Sequence, residues 1–131
     1  MPRGRRGVTD AELDVLKVLW DRGPSTIREL TDRLYPDGQT SHYATVQKLL
    51  ERLQAKRCVA RRSAGRAHLF RATVDREELI EDGLRRTAER LCEGSLTPLL
   101  THLVRASRLT EDEAARLRRL VDDLDRKRGG R

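Results

Sequence analysis

Apolar residues recur at helical spacing from Thr9 onward. Leu13, Leu16 and Trp20 form one stripe, and Val15, Val18 and Leu19 widen it, the pattern of a helix buried on most of its sides. TDAE, Thr9 to Glu12, opens this helix as a capping box: the Thr9 hydroxyl takes the Glu12 N–H and the Glu12 side chain reaches back. Gly23-Pro24 ends it. TIRE, Thr26 to Glu29, opens a second helix with Ile27, Leu30 and Leu34 on one side. Pro36-Asp37-Gly38 signals a turn. A third helix is predicted over roughly Ser41 to Lys56, capped by Thr40 or Ser41, with Val46, Leu49, Leu50 and Leu53 facing inward.

After this helix the period changes. Cys58-Val59-Ala60 and His68-Leu69-Phe70-Arg71 are short strand candidates, and Ser63-Ala64-Gly65-Arg66 is a turn between them. Gly65 supplies the positive φ that the turn needs, and Cys58 and Phe70 are expected in the core. Two short helices joined by a turn and followed by such a hairpin describe a winged helix-turn-helix.

From Asp75 the pattern is helical again, with DREE as a box-like start. Ile80, Leu84, Thr87 and Leu91 are spaced 4, 3, 4, close to a coiled-coil seam. Gly94, Ser95 and Pro98 interrupt it. Leu99, Leu100, Leu103 and Val104 form a short apolar helix. TEDE at Thr110 opens the last helix, where Ala114, Leu117, Val121 and Leu124 are spaced 3, 4, 3. The tail RKRGGR reads as frayed. Slim helices with narrow apolar stripes cannot bury a core alone, so this region reads as a dimerisation arm. The expected architecture is mostly α: a winged-helix domain over residues 1–74 and a helical dimerisation domain over 75–131. The candidate dimer contacts are Ile80, Leu84, Leu91, Leu99, Leu103, Leu117, Val121 and Leu124.

Composition agrees with an arm completed by a second subunit: only 37% of the 131 residues are hydrophobic and 3% aromatic. No apolar run approaches the roughly 18 residues needed to span a membrane. MPRGRRGVTD is basic but has no apolar stretch behind it, so it is not a secretory signal. Cys58 and Cys92 lie far apart without ligand spacing, which predicts a reduced, cytoplasmic protein with no disulfide framework. His42, His68 and His102 are scattered over three elements. No nucleophile, paired acid and base, phosphate loop or metal motif stands in one place, so neither an enzyme nor a cofactor is expected.

Charge changes the picture most. Residues 1–40 carry seven Lys/Arg against seven Asp/Glu, and residues 73–131 carry thirteen of each. Residues 41–72 carry eight basic residues (Lys48, Arg52, Lys56, Arg57, Arg61, Arg62, Arg66 and Arg71) against Glu51 alone, so the whole net charge of +7 sits there. Such a block is an electrostatic footprint for a polyanion. With Val46, Leu49, Leu50 and Leu53 inward, Ser41, Ala44 and Lys48 turn outward, Thr45 and Gln47 lie on the flanks, and Arg52 follows on the outer side. Small residues let a helix sit deep in a major groove about 12 Å wide. Thr45 and Gln47 can bond base edges or phosphates, and Lys48 can reach guanine or a phosphate. Tyr43 either edges the core or packs on a sugar. His42 points more inward, near enough to the helix start to touch the backbone. Arg61, Arg62 and Arg66 surround the wing turn, within reach of phosphates or the minor groove. The candidate DNA contacts are therefore Ser41, His42, Tyr43, Thr45, Gln47, Lys48, Arg52, Arg61, Arg62 and Arg66.

The stretch LTDRLYPDGQTSHYATVQKLLERLQAKRCVARRSAGRAHLFRATV, Leu30 to Val74, resembles the winged helix of the penicillinase and methicillin-resistance repressors, the BlaI/MecI type, with the copper-responsive repressors as cousins. TDAELDVLKVLWDRGPSTIREL before it and LTEDEAARLRRLVDDL after it are also similar, so the resemblance spans about residues 8–125. It implies a bacterial, nucleoid-associated homodimeric repressor on an inverted-repeat double-stranded DNA operator, often with TACA/TGTA-like half-sites. It implies control of β-lactamase, antibiotic-response or related stress genes. It also implies major-groove reading at Thr45, Gln47 and Lys48 and backbone contacts from Arg61 to Arg66. Antibiotic-sensing members are inactivated by a membrane metalloprotease at an Asn-Phe bond. His102-Leu103 stands at that place here, so the resemblance carries no cleavage there. The cousins' C-terminal cysteine pair is absent from DRKRGGR. Two other classes fit the charge block alone: a sequence-tolerant chromatin or RNA-binding protein, and a winged-helix scaffold for protein contacts.

Overall fold

The computed structural model describes residues 7–37, 40–106 and 109–129. In chain order these form α1 (Asp10–Arg22), α2 (Ile27–Leu34), α3 (Thr40–Ala55), β1 (Val59–Ala64), β2 (Ala67–Ala72), α4 (Arg76–Leu91), α5 (Thr97–Ala106) and α6 (Glu111–Gly129). Contacts divide the chain into two compact units between Leu84 and Arg85, inside α4. Among the described residues, no helix is long and apolar enough to cross a membrane.

The capping boxes form as their sequences require. In α1 the Thr9 hydroxyl accepts from the Glu12 N–H and Glu12 Oε1 accepts from the Thr9 N–H; Thr26 and Glu29 repeat this in α2. Asp75 with Glu78 and Thr110 with Glu113 do the same for α4 and α6. Each box satisfies amides that the first helical turn leaves open. The expected cap of α3 is corrected: Thr40 and Ser41 already lie within the helix, and its capping position falls outside the described residues.

The first unit is built on one core. Val15, Leu16 and Leu19 of α1 meet Leu30 of α2 and Val46, Leu49, Leu50 and Leu53 of α3, with Cys58, Val59, Phe70 and Val74 closing the side under the hairpin. The inward face expected of α3 is the buried one. Trp20 is not buried as its stripe suggested; it is half-buried, its indole N–H donates to the Val74 carbonyl at 2.8 Å, and the Arg76 guanidinium stacks over its ring at 5.0 Å. An indole needs a partner for its N–H, which favours such an edge position.

β1 and β2 pair antiparallel from Val59↔Ala72 to Ala64↔Ala67. Each strand is longer than its apolar signal, and the turn is correspondingly shorter: only Gly65 and Arg66 connect them. Gly65 takes φ 67°, which suits the first position of a type II′ connection. The hairpin is tied back to the helices by a bridge in which Ser25 and Phe70 exchange backbone hydrogen bonds of 3.0 and 2.8 Å. At the end of α3, Arg57 sits at φ 64° while Cys58 N–H donates to Leu53 O and Arg57 N–H to Gln54 O. This is a Schellman turn with arginine where glycine is usual.

The second unit holds the rest of α4 with α5 and α6. Neither α5 nor α6 has a buried residue, and in α4 Ala88 alone is buried. Large apolar side chains stand exposed instead: Leu91, Leu96, Leu100, Leu103, Val104, Leu120, Val121 and Leu124. The tail is corrected too. Arg126, Lys127, Arg128 and Gly129 continue α6 rather than fray, with Arg126 paired to Asp123 and Arg128 to Asp125 one turn back; Gly130 and Arg131 lie outside the described residues.

Candidate nucleic-acid interface

The interface is assembled on α3 because its apolar positions leave one choice of outward face. Ser41, Thr45, Lys48 and Arg52 recur at spacings of 4, 3 and 4 and all are exposed, with Ala44, Gln47 and Glu51 beside them. The Thr45 hydroxyl donates to the Ser41 carbonyl at 3.1 Å. Its hydrogen is therefore engaged, and what it offers outward is an acceptor lone pair and a methyl group. Lys48 offers the complement, three donors and no acceptor.

His42 goes elsewhere. It is half-buried, with its ring stacked on Tyr35 at 4.2 Å between centroids and 3° between planes. The stack joins the start of α3 to the residue that ends α2 and so fixes the angle of the helix-turn-helix. Tyr43 is 40% exposed and lines a cleft between α2 and α3.

The wing arginines are exposed but do not share one face. Cross-strand partners in an antiparallel pair lie on the same side. Arg61 pairs with Phe70 and Ser63 with His68, so these continue the side that carries Val59. Arg62 pairs with Leu69 and lies on the opposite side with Arg71. Arg66 is at the tip.

Ion pairing separates this surface from the rest. Of the eight basic residues in the block, Lys56 alone meets an acid among the described residues, with its Nζ 2.6 Å from the buried Glu12 Oε1. Lys48, Arg52, Arg57, Arg61, Arg62, Arg66 and Arg71 have no ion-pair partner there. Outside the block, Arg22 meets Glu29 and Arg33 meets Asp21. Seven cations without an acid partner among the described residues, spread over α3, the hairpin and the turn between them, make a field that like charges alone would disfavour. Among the described residues no group of three or more His, Cys, Asp or Glu is placed to hold a metal ion.

The family model described as penicillinase repressor matches residues 8–123, nearly the whole chain. The protein belongs to the penicillinase repressor family. It is accordingly a transcriptional repressor and not an enzyme. The penicillinase repressor of Bacillus licheniformis is 25% identical over 118 residues, which span 88% of this chain and 90% of that protein. The transcriptional regulator BlaI of Mycobacterium tuberculosis is 34% identical over 125 residues, 93% of this chain and 88% of that one. The solution structure of the DNA-binding domain of the repressor BlaI matches with a TM-score of 0.50 at 27% identity, covering 60% of this chain and 93% of its own. The fold is thus the winged helix that the sequence pattern predicts.

For this member of the penicillinase repressor family, sequence reasoning missed Leu96 and Leu120 among the exposed apolar residues, at 47% and 60% exposure. Leu99 and Leu117 were expected among the dimer contacts and are half-buried in the single chain. A leucine at 117 and another at 120 lie three apart on one helix, so either could have led the stripe; only packing decides which is turned inward.

Proposed function

We propose that this repressor binds double-stranded DNA as a cytoplasmic homodimer and blocks transcription sterically from an inverted-repeat operator. The observation that carries the reading is the row of unpaired cations on α3 and the hairpin. Two α3 helices occupy major grooves whose centres are about 10 base pairs, or a multiple, apart. Lys48 donates to guanine O6 or N7, or to a phosphate. Thr45 accepts from a base amino group or packs its methyl on thymine. Gln47 and Ser41 complete the groove contacts, and Arg52, Arg61, Arg62 and Arg66 hold the phosphates. The controlled genes are of the β-lactamase or related stress-response kind that the family name suggests. Cleavage by an inactivating membrane metalloprotease at His102-Leu103 is not part of the reading, because those residues stand where the resemblance places Asn-Phe.

If each protomer neutralises about five phosphates, the dimer neutralises about ten, and log affinity falls against log salt with a slope near −9. A titration on an operator fragment from the protein's own promoter region checks this; a nearly flat slope overturns the reading. In competition against random duplex DNA, Lys48→Ala and Thr45→Ala are expected to weaken specific binding more than non-specific binding, whereas Arg62→Ala weakens both alike. Equal behaviour of all three removes the assignment of base readers, and a specificity ratio near one for the unaltered protein points to a sequence-tolerant binder.

A further inference from the structure

Arg28 lies outside the basic block, in a segment whose charges balance, and nothing in the sequence pattern marks it. The structure sets it apart. Arg22 and Arg33, the neighbouring arginines of α1 and α2, each face an acid. Arg28 is exposed and has no hydrogen-bond or ion-pair partner among the described residues. It lines a cleft of about 480 Å³ between α2 and the start of α3, together with Thr31, Asp32, Tyr35, Pro36, Thr40 and Tyr43. Thr40 and Tyr43 belong to the first turn of α3, so the cleft opens at the N-terminal end of the groove-reading helix. An unpaired guanidinium lining one cleft with two hydroxyl-bearing residues offers donors for a single tetrahedral anion.

We propose that Arg28, with the hydroxyls of Thr40 and Tyr43, holds one phosphate of the DNA strand flanking the groove that α3 enters. The inference rests on the DNA-binding reading above and adds a contact from α2 to it. The contact fixes the angle of α3 against the duplex, since a backbone contact on each side of a groove-bound helix sets its register. Asp32, one turn along α2, lines the same cleft. Its carboxylate opposes the phosphate and weakens the clamp, which favours release.

The test uses the full chain and a random-sequence 30-base-pair duplex, because a phosphate contact does not depend on sequence. Arg28→Ala is expected to reduce the salt slope by about 0.9 for each protomer bound while leaving the thermal midpoint unchanged. Arg28→Lys keeps the slope, because the charge remains, but binds more weakly because the fork is lost. Tyr43→Phe weakens binding without changing the slope, and Asp32→Asn tightens it. An Arg28→Ala slope equal to that of the unaltered protein overturns the clamp, and if Arg62→Ala still lowers the slope, the clamp alone has failed. A flat slope for the unaltered protein overturns both this inference and the reading it rests on.

Discussion

Glu12 does two jobs with one side chain. Its Oε1 accepts the Thr9 N–H at 3.0 Å, which caps α1, and the Lys56 Nζ at 2.6 Å; Lys56 also donates to the Gly7 carbonyl at 2.9 Å. Burial alone would raise the carboxyl pKa, but Lys56 and the Thr9 donors outweigh it and hold the group below its ordinary 4.5. The folded-state value is the lower one, so this stabilisation is fully present above about pH 4.5 and is lost as pH falls through the depressed value. Urea unfolding followed downward from pH 6 should show a decline in this acid range that Glu12→Gln, which cannot titrate, flattens. Lys56→Met should cost about 3 kcal/mol at pH 7, because it leaves a buried carboxylate uncompensated; a loss under 1 kcal/mol would show that the pair is dispensable. The capping role was legible in TDAE. The ion pair was not, because its two residues are separated by 44 positions and only the packing of α1 against the end of α3 brings them together.

At the scale of elements, the hairpin shows where a charge count loses information. RRSAGR reads as one basic cluster, and the sequence places its arginines together. The register divides Arg61 and His68 from Arg62 and Arg71, on opposite faces of a two-stranded ribbon. Under the proposed reading, arginines on both faces of the ribbon reach phosphates, so Arg61→Ala and Arg62→Ala should each lower the salt slope by about 0.9 per protomer; a reduction from only one of them would mean that the tip is gripped from one side. The hairpin itself was legible because the apolar period changes after Lys56 and Gly65 marks the turn. Its length was not, since Arg61 to Ala64 extend beyond the core and carry no apolar alternation. The same limit hid the end of α6, whose last basic residues look like a loose tail until their acids are found one turn back. Arg57 offers a further test. At φ 64° a non-glycine residue is strained by about 1 kcal/mol, so Arg57→Gly should raise the unfolding free energy by roughly that amount while removing one unpaired cation. Unfolding that is weakened instead would place a stabilising contact on the arginine side chain.

For the whole molecule, the unburied half of the apolar inventory is the deciding fact. The first unit closes its own core, whereas α5 and α6 bury nothing and expose Leu100, Leu103, Val104, Leu120, Val121 and Leu124. Apolar surface on this scale in a single chain is favourable only when it is covered, and in the proposed homodimer a second copy would cover it while bringing a second α3 to the DNA. Of the two stripe positions Leu117 and Val121, the structure favours the second for testing this. A charge at Leu117 strikes a half-buried residue and disturbs the protomer itself, whereas Val121 is 56% exposed and can be changed with the fold intact. Val121→Asp should sediment as a monomer at concentrations where the unaltered protein is dimeric. Each monomer keeps its own phosphate contacts, so its salt slope should halve from near −9 to about −4.5. Its affinity should fall further than the halved slope accounts for, because the second half-site is no longer presented at high effective concentration. A Val121→Asp protein that stays dimeric would remove this face from the interface. A monomer that retained the full slope would show that one chain makes all the contacts, and that the repressor does not need a partner to hold its operator.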